Sequence, residues 1–130
     1  MFVCKYNRFR SRVAERYFNQ LNKNPGYKAK SAGIIKWSSI DKFQRKVCKS
    51  AGINIAGFPQ GLSTKLMKWQ NIVIIVANDV PPIIFRDNKK YGKQLLIWSI
   101  PDAEKDSVKE VERIVNIIKK KVSILVKMQK

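Results

Sequence analysis

The sequence predicts a three-layer α/β domain with a central parallel sheet and helices on both faces. Strand-like and helix-like segments alternate along the chain, which is typical of parallel sheets. Residues 72–77 form a continuous, mostly β-branched run, as in a strand covered on both faces. The last third contains apolar residues at helical spacing. Because 130 residues suit one core, we expect one domain over residues 1–130.

The first third of the chain predicts two strands and the helix between them. Residues 1–4 are apolar and form the first strand. From Ser11 the period changes, because Val13, Tyr17 and Leu21 recur every four residues along one helical face. Asn, Pro and Gly at 24–26 predict the end of this helix. Residues 27–31 alternate with a period of two, which predicts the second strand.

The remaining elements follow from the same two periods. A second helix is predicted from residue 38 or 39 to residue 50, with Ile40, Phe43 and Val47 inward and Gly52 beyond its end. Residues 63–69 predict a short helix, 83–85 a helical turn after two prolines, and 95–99 a strand. The last helix begins at a capping-box pattern at 107–110.

The composition indicates which kinds of partner the protein can bind and which catalytic mechanisms it can use. The chain has 27 Lys and Arg against 9 Asp and Glu, so its net charge of +18 favours nucleic acid, phosphorylated molecules or acidic proteins. It has no histidine, which excludes histidine-activated nucleophiles, and two cysteines alone make no ordinary zinc site. We therefore expect neither a metal nor another cofactor.

The hydrophobic segments predict a water-soluble protein. No apolar run is long enough to cross a membrane, and basic residues crowd in directly after residue 4, unlike in a signal peptide. We expect a cytoplasmic protein with no membrane association.

The loop at residues 4–11 lies between the first predicted strand and helix. Backbone N–H groups in such a loop converge, and the helix N-terminus adds positive partial charge, so an anion is the natural ligand. The same dipoles would stabilise a thiolate at Cys4, and Arg10 offers a planar charged fork for phosphate oxygens. Read separately, Cys4 is an ordinary buried cysteine and Arg10 a surface charge, and Cys-X5-Arg alone is a weak pattern.

A longer stretch of sequence around this loop matches a known family. Residues 2–15 resemble the low-molecular-weight protein tyrosine phosphatase family, whose signature reads V-C-x-x-N-x-x-R-S-x-x-A-E. Residues 31–33, 46–55, 62–79 and 100–102 resemble further parts of the family in the same order. The resemblance implies the family fold, with a parallel four-stranded sheet of strand order 2-1-3-4.

The resemblance also implies a chemistry and a set of site residues. Cys4 would form a phosphocysteine while Arg10 holds the phosphate of a phosphomonoester, by family default a phosphotyrosine in a protein. Asp102 would act as acid and then as base, and phosphate or vanadate-like anions would inhibit. Asn7 would shape the loop, Ser11 would hydrogen-bond the thiolate, and Ser31 would support Asn7. The expected phosphate- and substrate-binding residues are Lys5, Tyr6, Asn7, Arg8, Phe9, Ser11 and Trp37.

Several alternatives stay open at this stage. Glu104 and Asp106 compete with Asp102 for the acid role, and Ala103 stands where the family has a proline. Trp37 is equally compatible with a pocket wall and with core packing. An arsenate reductase would require Cys48 as a resolving thiol. A nucleic-acid- or polyanion-binding protein on the same fold would explain the charge.

Overall fold

Four parallel strands form the central sheet. The structure is a computed structural model and describes residues 1–104 and 106–128. The strands are β1 (Phe2–Cys4), β2 (Ser31–Gly33), β3 (Ile72–Val76) and β4 (Gln94–Trp98). They are ordered β2-β1-β3-β4 and all neighbours are parallel. The predicted fold class and strand order are confirmed.

Within the described residues, four α-helices flank this sheet: α1 (Arg10–Leu21), α2 (Lys42–Ser50), α3 (Thr64–Trp69) and α4 (Val108–Met128). The side chains of Asp41 and Ser63 cap α2 and α3 by accepting hydrogen bonds from Gln44 N and Leu66 N. Short 3-10 turns cover Pro82–Phe85 and Lys89–Tyr91. None of the described helices combines the length and apolar character needed to cross a bilayer.

The sheet separates two hydrophobic clusters. Helices α1, α2 and α4 pack on one face, and α3 and the turn at Phe85 pack on the other. Strand β3 serves both clusters, since Ile74 and Val76 face the first while Val73 and Ile75 face the second. This explains why its sequence is apolar without alternation. Each fully buried aliphatic side chain of this kind contributes roughly 1.5–3 kcal/mol.

Two predicted boundaries are wrong. The second strand is Ser31–Gly33, not residues 27–31, because Asn19 on α1 pairs its side-chain amide with both backbone groups of Ala29. Those groups are therefore not free to join a sheet. Helix α2 begins at Lys42, because Asp41 provides the cap, and residues 36–39 remain an exposed loop.

The parallel arrangement places the site. The loops after β1, β2, β3 and β4 all leave the same edge of the sheet, where ligands of open α/β sheets bind. Cys4 ends β1 at this edge, and Asp79 and Asp102 lie in the loops that follow β3 and β4.

Candidate active site

The backbone of the 4–11 loop leaves several N–H groups without a protein acceptor in the described part of the chain. Asn7 has left-handed backbone, with φ of +57°, which lets the chain turn back on itself above Cys4. Helix α1 begins without a side-chain cap, so its first N–H groups are left for another acceptor. Among the described residues, the amides of Tyr6, Asn7, Arg8 and Phe9 also donate to no protein acceptor.

A chain of hydrogen bonds leads to the Cys4 sulfur. Asn7 Nδ2 donates to Ser11 Oγ at 2.7 Å and to Ser31 Oγ at 2.9 Å. Ser11 Oγ lies 3.0 Å from Cys4 Sγ. Because Ser11 Oγ already accepts from Asn7, its own hydrogen is free to point at the sulfur. A thiolate at Cys4 would accept this hydrogen bond.

The Arg10 side chain is buried, and hydrogen bonds hold one edge of its guanidinium group. Its side chain is only 2% exposed. Nη1 donates to the carbonyl of Ile100 at 2.9 Å, and Nη2 donates to both oxygens of Asp79 at 3.0 and 3.2 Å. These contacts occupy part of the guanidinium and fix its plane, so its other N–H donors are oriented in advance.

Asp102 is the acidic residue that the structure brings to Arg10. Its Oδ2 lies 3.7 Å from Arg10 Nη2, and its side chain is 46% exposed. The other carboxylate oxygen accepts from the backbone N–H of Ala103, which holds the loop without a proline. Glu104 lines a separate surface depression together with Glu110 and Arg113. Of the described acids after β4, only Asp102 forms an ion pair with the loop arginine.

Aromatic and basic side chains form the mouth of the site. The rings of Tyr6 and Trp37 lie 4.8 Å apart, centre to centre. Lys5 Nζ is 5.2 Å from the Tyr6 ring, and the Arg8 guanidinium carbon is 5.7 Å from the Trp37 ring. Trp37 is 42% exposed. Core packing, one of its two sequence interpretations, is therefore wrong.

A groove of about 740 Å³ adjoins this mouth. It lies between the loop after β2 and the segment before α3, and Trp37, Lys36, Phe58 and Leu62 line it. Its lining joins an aromatic ring of the mouth to further apolar and basic side chains. The groove thus shares Trp37 with the mouth.

Three supporting residues were not found from the sequence. Buried Arg12 donates to the carbonyls of Ile55, Ala56 and Phe58 and, at 3.5 Å, to Asn7 Oδ1. Burial, then the nearby charge of Arg16, lowers the pKa of Arg12 from its ordinary value.

Gln60 and Asp79 complete this support. Gln60 donates its backbone N–H to Asn7 Oδ1 at 2.9 Å and its side-chain amide to the carbonyl of Ser31 at 2.8 Å. Asp79 directly follows the buried β3 strand, and a carboxylate at that position was the one sequence signal for its role. The contacts of Arg12 with backbone carbonyls and those of Gln60 join residues far apart in the chain, so no local sequence pattern predicts them.

Two predicted or alternative residues lie away from the reacting centre. The Phe9 side chain packs in the hydrophobic core, so only its backbone can contact an anion. Cys48 lies in the cluster on the α1 and α4 side of the sheet, whereas Cys4 belongs to the opposite cluster. Burial raises the pKa of the Cys48 thiol to about 12. In the described part of the chain, no group of three or more Cys, Asp or Glu could hold a metal ion.

Comparison with known proteins identifies the family and the fold of this chain. The family model of low molecular weight phosphotyrosine protein phosphatases matches residues 1–130. The chain therefore belongs to that family of hydrolases, and the resemblance seen in the sequence is confirmed. A search of curated protein sequences found no match.

Solved structures share the fold. A low-molecular-weight protein tyrosine phosphatase from T. tengcongensis is 20% identical, with a TM-score of 0.82 over 98% of this chain and 96% of that one. The YwlE arginine phosphatase from Geobacillus stearothermophilus is 20% identical, with a TM-score of 0.82 over 98% and 90%. An arsenate reductase from Archaeoglobus fulgidus DSM 4304 is 22% identical, with a TM-score of 0.74 over 96% of both chains.

Proposed function

We propose that this protein hydrolyses phosphate monoesters, with protein phosphotyrosine as the substrate class, through a phosphocysteine at Cys4. The observation that carries the proposal is the hydrogen-bond chain from Asn7 through Ser11 to the Cys4 sulfur. It ends inside a loop whose amides are free to bind an anion. Such a loop provides a nucleophile and an oxyanion site without histidine.

In the first step the Cys4 thiolate attacks phosphorus and the bond to the ester oxygen breaks. Arg10 and the loop amides hold the other phosphate oxygens, where negative charge is concentrated. Asp102 gives its proton to the leaving oxygen, so the alcohol leaves neutral. Its position 3.7 Å from Arg10 Nη2 supports this role.

In the second step water attacks the phosphocysteine. The Asp102 carboxylate takes a proton from that water, and the phosphorus–sulfur bond breaks to release inorganic phosphate and the thiolate. The Ser11 hydrogen bond stabilises the thiolate as leaving group, as it did the nucleophile. Phosphate and vanadate, which occupy the same anion site, are expected to inhibit.

The mouth supports phosphotyrosine as the esterified group. Tyr6 and Trp37 offer two ring faces against which an aryl group can pack, and such pairs add about 0.5–1.5 kcal/mol. Thiol-cycling arsenate reduction has less support. Its candidate partner, Cys48, is fully buried on the other side of the sheet and keeps its proton at neutral pH.

Hydrolysis of para-nitrophenyl phosphate and of a phosphotyrosine peptide tests the proposal. Cys4→Ser removes the nucleophile and should lower kcat by at least about a thousandfold. Asp102→Asn removes the proton carrier, so kcat for the peptide should fall by about 10²–10⁴-fold. Vanadate should inhibit the wild type.

Matched variants separate these roles from general damage. Cys48→Ala removes the other thiol, and Asp106→Asn removes an exposed acid of the same loop. Both should keep wild-type turnover. A folded wild type that is inert toward both substrates would refute the phosphatase proposal. Faster turnover of a matched phosphoarginine peptide would refute phosphotyrosine as the substrate class.

A further inference from the structure

One exposed face of α2 is uniformly basic. Lys42, Arg45, Lys46 and Lys49 are all exposed and recur at spacings of three and four residues, so they form one continuous row on the helix. We call this row the α2 stripe. From first to last residue it is about 10 Å long, given a rise of about 1.5 Å per residue.

The stripe has no counter-charge of its own. Helix α2 contains no carboxylate, and none of the ion pairs between described residues involves the stripe. The adjacent acid, Asp41, uses its side chain to accept from Gln44 N as the helix cap. Like charges at this spacing repel one another, and Lys42 also faces the positive end of the helix dipole. Helix α4 differs, since its Arg113 pairs with Glu110 at 3.0 Å.

The stripe begins at the mouth of the candidate active site. Arg8, in the 4–11 loop, donates from Nε to the carbonyl of Ser39 at 2.9 Å. Ser39 lies two residues before the cap, Asp41, and three residues before Lys42, the first residue of α2. Arg8 and exposed Lys36 therefore connect the basic mouth to the stripe without an intervening acidic patch, apart from the capping Asp41.

We propose that the α2 stripe binds an acidic segment of the phosphoprotein substrate, next to the phosphorylated residue. This rests on the proposed phosphatase function and adds the sequence class that the enzyme prefers. About three residues of extended chain cover the stripe, because each spans about 3.3 Å. A peptide segment bound to the stripe has its phosphorylated side chain within reach of the mouth. A duplex nucleic acid is also anionic, but its bases are stacked inside the duplex, so the aromatic rings of the mouth have no group to bind.

Two pairs of phosphotyrosine peptides test this assignment. One pair carries four Glu or four Gln on the amino side of the phosphotyrosine, and the other carries them on the carboxyl side. Wild-type kcat/KM should be about tenfold higher for one of the Glu peptides than for its Gln partner at low salt. This preference should shrink as added salt shortens the screening length.

Two quadruple variants with equal loss of charge locate the effect. K42Q/R45Q/K46Q/K49Q removes the stripe, and K65Q/K68Q/K89Q/K90Q removes four exposed lysines on and beside α3. The Glu-to-Gln ratio should fall to near one in the stripe variant and remain near the wild-type value in the α3 variant. Equal losses in both variants, or no preference in the wild type, would overturn the inference.

Binding to the Cys4→Ser protein separates the inference from the proposed function. Para-nitrophenyl phosphate turnover by wild type tests the phosphatase activity alone. Fluorescence anisotropy of the peptides with Cys4→Ser tests the stripe without any turnover. If the Glu peptide binds more weakly only when the stripe is removed, the assignment is supported. If a DNA or RNA oligonucleotide binds through the stripe with higher affinity than the Glu peptide, the assignment is overturned.

Discussion

At the scale of single residues, the spacing of Cys4 and Arg10 predicted which side chains share one loop. It did not predict how Arg10 is oriented. The hydrogen-bond partners of its guanidinium are Asp79 and the carbonyl of Ile100, which lie 69 and 90 residues away in sequence. Contacts over such separations depend on strand order, which has no local sequence pattern. The same holds for Arg12, whose backbone carbonyl acceptors lie in residues 55–58.

Asp79→Asn tests whether the acid orients Arg10. The substitution keeps an oxygen acceptor but removes the charge and one of the two contacts to Nη2. Arg10 should lose its fixed plane, and kcat/KM for para-nitrophenyl phosphate should fall by about ten- to a hundredfold. The affinity for inorganic phosphate, measured by inhibition, should weaken in the same variant.

The matched control is Asp87→Asn, which removes an exposed acid of the following turn. It should change neither value. If Asp79→Asn keeps wild-type kcat/KM and phosphate inhibition, Arg10 does not depend on Asp79 for its orientation.

At the scale of elements, the short β2 strand shows what local patterns can and cannot predict. The family resemblance covers Ser31-Ala32-Gly33, where the strand lies, whereas the alternation at 27–31 predicts the strand in the wrong place. The reason for glycine at 33 is three-dimensional. A Cβ there would lie 2.6 Å from the carbonyl carbon of Tyr6 and 2.7 Å from Asn7 N, both backbone atoms.

Gly33→Ala should therefore displace the 4–11 loop. Backbone cannot swing away as a flexible side chain does, so we expect a loss of about 1–3 kcal/mol in the free energy of unfolding. A displaced loop no longer aligns its amides with Cys4, and kcat/KM should fall by about a hundredfold. Thermal unfolding and para-nitrophenyl phosphate kinetics measure the two effects.

Gly92→Ala controls for stability alone. Unlike Gly33, Gly92 has positive φ, +73°, and no atom lies within 4 Å of a Cβ built there. It should lose about 1–2 kcal/mol of stability from backbone strain and keep wild-type kinetics. Wild-type kinetics for Gly33→Ala would show that the loop tolerates the added methyl group.

At the scale of the whole molecule, alternation of strands and helices was enough to predict a parallel sheet with its ligand site at one edge. The strand order entered through the family resemblance. The continuous β3 run and the periodic α4 helix were predicted well, because each buries a large apolar surface that dominates its local sequence. The loops between them were predicted less well, because capping and long-range hydrogen bonds set their ends.

The net charge of +18 also belongs to this scale. From the sequence, this charge predicts anionic partners but does not indicate where on the surface they bind. The structure concentrates part of that charge around one entrance, through Lys5, Arg8 and Lys36. Replacing these basic residues with acidic ones, or adding salt, should alter the binding of charged substrates far more than that of small neutral ones.

Trapping the covalent intermediate tests the central claim most directly. Asp102→Asn enzyme should be mixed with para-nitrophenyl phosphate, quenched in acid during turnover and examined by peptide mass spectrometry. Nitrophenolate leaves without needing a proton, whereas attack by water still needs a base, so the phosphoenzyme should accumulate in this variant. The phosphoryl group should be found on the peptide that contains Cys4. Turnover with no phosphorylated Cys4, or with the phosphoryl group on another residue, would contradict the phosphocysteine mechanism.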